Sequence, residues 1–135
     1  LILAAALAVA AIPFTAQPAD HASPPATVAF VVTIEVRPGV EERFLELLTP
    51  VLDAMRHEAT FVNAILHRDP ENPGRFMIYE TWSDLDDVVA VQVNRAYRQA
   101  YWEALPDLLA IPRAVGVWKP VRADFASPGR QTTSD

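Results

Sequence analysis

Two pairs of side chains carry the chemistry that this sequence can offer. Asn63 and His67 share one parity in the apolar run FVNAILH, so in an extended chain both leave on the same face. An amide can hold a substrate oxygen, and an imidazole titrating near neutral pH can take a proton from it. The second pair, Glu80 and Trp82, shares a face in RFMIYETW. A carboxylate between Ile78 and Trp82 is a candidate for partial burial and a raised pKa. Tyr97, Tyr101, Trp102 and Trp118 add flat faces that suit a phenolic or quinol ring. These residues suggest a pocket with His67 or Glu80 beside Asn63, walled by Trp82, the tyrosines and Trp118.

Each residue also has a plainer reading. His67 sits beside a turn and suits a wet strand end. Glu80 can tie its strand to Arg68, Arg75 or a helix, and aromatic residues at helical spacing more often belong to a core. Arg95 and Arg98 read as solvated. His21 and His57 have no metal-ligand company, and His67 with Asp69 alone does not make a metal site.

The elements that must position these groups follow from periodicity. Thr27 to Val36, TVAFVVTIEV, is a β-branched run suited to a strand buried on both faces. Arg37-Pro38-Gly39 turns the chain into a helix with Glu41 and Glu42 in its first turn, where the macrodipole favours carboxylates. Phe44, Leu47, Leu48, Val51, Leu52 and Met55 fall on one helical face, and Pro50 predicts a kink. HRDPENPG then joins two apolar runs as a hairpin with a longer loop. Ser83 or Asp84 can cap a second helix, with a break near Asn94 and a further helix ending at Pro112. RAVGVWKP supplies the last strand.

Strand, helix, hairpin, helix, strand is the split βαβ order. It predicts an α+β, ferredoxin-like domain: a four-stranded antiparallel sheet with helices on one face. The other face is too apolar to stay wet, so a second copy is expected to cover it as a homodimer.

The chain has 135 residues, enough after an apolar leader for one domain with one core. Leu1 to Ile12 has the length of a signal-peptide core and is too short to span a bilayer. The expected organisation is a signal peptide at 1–16, truncated at its start, a linker at 17–26, the folded domain at 27–122 and a flexible tail at 123–135. Export to the periplasm or medium is therefore expected, with membrane contact only through an uncleaved leader. The net charge of −6 argues against a nucleic-acid partner, and the lack of cysteine excludes thiolate chemistry and disulfides.

Several separated segments also resemble the antibiotic biosynthesis monooxygenase family, in the right order. They are VRPGVEERFLELLTPVLDAM, LHRDPENPGRFMIYETW, YRQAYWEALPDLL and VGVWKP. The resemblance implies a dimeric α+β barrel and a small monooxygenase that oxidises quinols or polyketide aromatics with O₂, without flavin or metal. The chain departs from the pattern where many members place a His in the second helical region, since Ala90, Val91 and Gln92 stand there. A heme-degrading role is disfavoured, because the first strand has no Asn and Tyr101 stands where a heme ligand is needed. An isomerase would need anion recognition, of which the net acidity gives no sign. The competing reading is a non-catalytic exported dimer that binds an apolar or aromatic ligand, favoured by the missing His and the few titratable groups.

Overall fold

Alternating side chains on the strands decide which face of the sheet the helices cover. The computed structural model describes residues 27–125. The leader and linker expected at 1–26, and the tail beyond 125, lie outside the described residues. β1 (Val28–Glu35), β2 (Phe61–Arg68), β3 (Arg75–Trp82) and β4 (Ala114–Trp118) form one antiparallel sheet in the order β2-β3-β1-β4. α1 (Glu41–Met55) joins β1 to β2. α2 (Leu85–Ala90) and α3 (Gln99–Leu108) join β3 to β4, with 3-10 turns at Gln92–Asn94 and Ala96–Arg98 between them. This is the ferredoxin-like α+β arrangement that the sequence predicts.

Local signals account for most of the boundaries. Gly39 adopts φ +86°, which an L side chain rarely tolerates, and turns β1 into α1. Glu41 and Glu42 lie in the first turn of α1, and the helix runs as one element through Pro50 to Met55. Asp84 caps α2, its Oδ1 accepting the Asp87 N–H at 3.1 Å. The break expected near Asn94 appears as the two 3-10 turns.

Phe30, Val32 and Ile34 on β1 and Phe76, Ile78 and Trp82 on β3 face the helices. Against them pack Phe44, Leu48, Val51 and Met55 of α1 and Tyr101, Leu105 and Leu108 of α3. The Phe44 ring lies 4.8 Å from Phe76 and 6.2 Å from Tyr101, so it joins the sheet to both long helices. Within one chain β1 is buried on its helix side. Its outward residues Val31 and Thr33 are only partly covered, because no helix packs on that side. Ile65 and Trp118 on the same outer face are 51% and 62% exposed.

Truncating Phe44 to Ala empties the point where sheet, α1 and α3 meet. Phe44→Ala should cost about 3–5 kcal/mol, read as a lower urea midpoint with an unchanged m-value. A midpoint equal to wild type would mean the helices are anchored elsewhere.

Candidate active site

On β3 the core-facing row reads Phe76, Ile78, Glu80, Trp82, so a carboxyl stands in an otherwise apolar line. Glu80 is flanked across the sheet by Phe30 on β1 and by Ala64 on β2, whose short side chain leaves room beside it. Above it is a hollow of about 40 Å³ beneath α1 and α3. Its apolar walls include Val32, Leu48, Val51, Met55 and Ile78, and its polar lining is Glu80, Arg98, Tyr101, Trp102 and Arg113.

Burial pushes the Glu80 pKa above its ordinary value, opposed by the Arg98 charge, the Trp82 indole N–H and the Arg113 charge. Trp82 Nε1 is fully buried and makes no hydrogen bond of full geometry, so its effect on Glu80 is that of a nearby dipole. Burial pushes the Tyr101 phenol up to about 12, with Arg113 and Arg98 opposing and Glu80 reinforcing the rise. Tyr101 therefore stays a neutral hydroxyl near neutral pH. Arg98 is 7% exposed, its Nε has no partner, and its guanidinium lies 5.6 Å from the Tyr97 ring centroid.

A polar network centred on the buried Gln92 ties together the turns that precede Arg98. Gln92, 2% exposed, donates to Glu58 Oε2 at 3.2 Å and Asp87 Oδ2 at 2.9 Å, and accepts from the Tyr97 hydroxyl at 3.3 Å. Arg95 adds an ion pair to Glu58 at 2.8 Å. Burial acts to raise the Glu58 pKa, but the Gln92 and Arg95 hydrogen bonds and the Arg95 charge hold it below the usual value. The Thr60 hydroxyl and Gln92 likewise lower Asp87. This network pins the turns that lead into α3, so Arg98 enters the core one helical turn before Tyr101.

The pocket expected from the sequence is divided by the sheet. Glu80, Trp82 and Tyr101 come together on the helix side, with Tyr97 at the edge through Gln92. Asn63 and His67 are exposed on the outer face, opposite Thr81 and Met77, because parity in β2 sends them away from Glu80. Trp118 also lies on the outer face, not against the tyrosines; its Nε1 sits 2.8 Å from where a Cβ on Gly116 would be. Arg75 pairs with Asp69 at 3.5 Å and Arg68 lies over the Phe76 ring, so neither ties down Glu80. The solvated Arg98 expected from the sequence is also corrected, since it is buried. The available signal was its spacing, which places Arg98, Tyr101, Leu105 and Leu108 on one helical stripe. Gln92 had a weaker sign, a lone amide inside AVQV. Among the described residues, no group of three or more His, Cys, Asp and Glu side chains is placed to hold a metal ion.

Known proteins share this architecture. The sequence profile of the antibiotic biosynthesis monooxygenase family matches residues 27–103. A protein of Pestalotiopsis microspora, provisionally named a monooxygenase, is 32% identical over 98 residues, covering 72% of this chain and 82% of that one. Among solved structures, an antibiotic biosynthesis monooxygenase of Nitrosomonas europaea, so named provisionally, superposes with a TM-score of 0.67 at 18% identity, covering 72% of this chain and 92% of its own. SnoaB of Streptomyces nogalater, described as a cofactor-independent oxygenase, superposes with a TM-score of 0.63 at 17% identity, covering 73% and 96%. At these identities the structures show a shared fold.

The raised Glu80 pKa has a consequence for stability. Between the unfolded value near 4.5 and the higher folded value, the native state keeps a proton that the unfolded chain has released. The resulting stabilisation is complete below the unfolded pKa and is lost as pH rises through the folded one. Glu80→Gln removes this loss. Its melting temperature relative to wild type should therefore rise as pH climbs above the unfolded value near 4.5 and through the higher folded one. A difference that stays flat across that range would show that Glu80 is not desolvated.

Proposed function

The chain belongs to the antibiotic biosynthesis monooxygenase family, and we propose that it is a cofactor-independent monooxygenase that oxidises a small quinol or related aromatic with O₂. The observation that carries this reading is Glu80: a carboxyl held among apolar walls, its basicity raised by burial, and faced by Arg98, Arg113 and the Tyr101 hydroxyl. Such a group can take a proton from an acidic C–H or O–H of a bound aromatic. The two guanidiniums then stabilise the anion that forms.

The anion itself supplies the electrons. It passes one electron to O₂, the radical pair closes a C–O bond, and the peroxide takes back a proton. Loss of water leaves a carbonyl, so that R₂CH₂ and O₂ give R₂C=O and H₂O. Apolar walls around Glu80 limit solvent at the point of proton transfer. Tyr101, neutral near physiological pH, can orient a substrate oxygen through its hydroxyl. Asn63 and His67, on the far side of the sheet, take no part in this scheme.

The outer face supports a second element of the reading, pairing with another copy of the chain. Val31, Met77 and Tyr79 are only partly covered there, and Ile65 and Trp118 are more than half exposed. A face this apolar on a small domain favours burial against its own equivalent.

Oxygen uptake with a panel of hydroquinones and anthrones tests the chemistry. Glu80→Gln should lower kcat by about 10²–10⁴-fold, whereas His67→Ala should turn over like wild type. Uptake unaffected by Glu80→Gln would remove the proposed base. For assembly, Tyr79→Arg places a charge in the centre of the outer face and should convert a sedimenting dimer to monomer. A wild-type chain that sediments as monomer would overturn the pairing.

A further inference from the structure

The hollow over Glu80 holds about 40 Å³, well below the roughly 150 Å³ of a protein cavity that binds a single benzene ring. An aromatic substrate therefore cannot lie wholly inside it. An open groove of about 520 Å³ runs along the outside of α3 and the loop into β4, floored by Leu105, Leu109, Ile111 and Pro112. The two spaces share a wall made of Trp102 and Arg113.

The two halves of that wall are held differently. Trp102 is fixed, its Nε1 donating to the Val93 carbonyl at 2.9 Å. Arg113 is exposed and stacks on the Trp102 ring with 4.9 Å from guanidinium carbon to centroid. Among the described residues Arg113 forms no ion pair, and neither does the buried Arg98 behind it. Two guanidiniums, Arg98 and Arg113, line the hollow with one carboxyl, Glu80, so cationic groups outnumber acidic ones there.

We propose that the groove beside α3 is the outer half of the substrate site, and that Arg113 with Arg98 selects an aromatic ligand carrying one anionic oxygen. The ring of the ligand takes the place of the Arg113 guanidinium on the face of Trp102. Its anionic oxygen, phenolate or carboxylate, sits at the mouth of the hollow between the two guanidiniums. Arg113 moves aside from the indole to meet it, exchanging a cation–π contact for a charge-assisted hydrogen bond. Arg113 is thus a specificity-determining residue. The substrate class rests on the monooxygenase reading, but the selection itself is a matter of binding and needs no turnover.

Calorimetric titration of the full chain with 2-naphthoate, neutral methyl 2-naphthoate and 2-naphtholate at high pH tests this. Wild type should bind 2-naphthoate at least roughly tenfold more tightly than the ester. A matching preference for the naphtholate would assign phenolate substrates, and its absence would assign carboxylates. Arg113→Met should erase the preference while the ester still binds, and Ile111→Asp in the groove should weaken every ligand. Arg122→Gln, a distant exposed arginine, should change nothing. Equal binding of acid and ester by wild type, or a preference that survives Arg113→Met, would overturn the proposal. If Glu80→Gln left oxygen uptake intact while this selectivity held, the assigned base would fail and the binding site would stand.

Discussion

The period of β3 sends the Glu80 carboxyl to the helix side of the sheet, where it is largely desolvated. Phe76, Ile78 and Trp82 must face the helices to build the core, and a strand that alternates strictly carries Glu80 to the same side. Its neighbours in register, Phe30 and Ala64, belong to the two flanking strands, so the carboxyl lies inside the sheet and not at an edge. An apolar side chain at this point would close the core at lower electrostatic cost. The arginines at 98 and 113 and the hollow above the strand are all arranged around this carboxyl.

The route from β3 to α3 serves the same group. Read as local structure it is a poor helix, broken into a short α2 and two 3-10 turns. Read as support, it is an ordered platform. Gln92 joins Glu58 in the turn after α1, Asp87 on α2 and Tyr97 at the entry to α3 through hydrogen bonds that leave its buried amide satisfied. Trp102 ties back to Val93 in the same connection. Arg98 and Trp102 thus reach the hollow from a backbone held by polar contacts at several points. Arg113, by contrast, hangs exposed from the loop before β4, stacked on the indole and forming no ion pair among the described residues, and it can respond to a ligand.

The sheet keeps the two chemistries apart. Its inner face carries the titrating carboxyl and the cations. Its outer face carries Asn63, His67, Ile65, Tyr79 and Trp118 around a surface left open by the single domain. Gly116 lets the Trp118 indole fold back along its own strand, and any larger residue there would have to move it.

Most of the fold was readable from the chain because it rests on local rules. The β-branched run of β1, the helical period from Phe44 to Met55, the Pro- and Gly-bearing hairpin loop and the Asp84 cap all act within a few residues of themselves. The pairing of Glu80 with Trp82 was readable for the same reason, since parity along one strand needs no partner. Which face of one strand meets which face of another depends on register across the sheet, and that sent Asn63 and His67 to the side opposite Glu80. Arg98 carried a charge that composition assigns to solvent, and only the packing of α3 over β3 placed it in the core. The sequence by itself determined the elements, their order and the face each residue takes on its own element. The tertiary structure alone decided which of those faces meet, because burial and electrostatic contact depend on residues far apart in the chain.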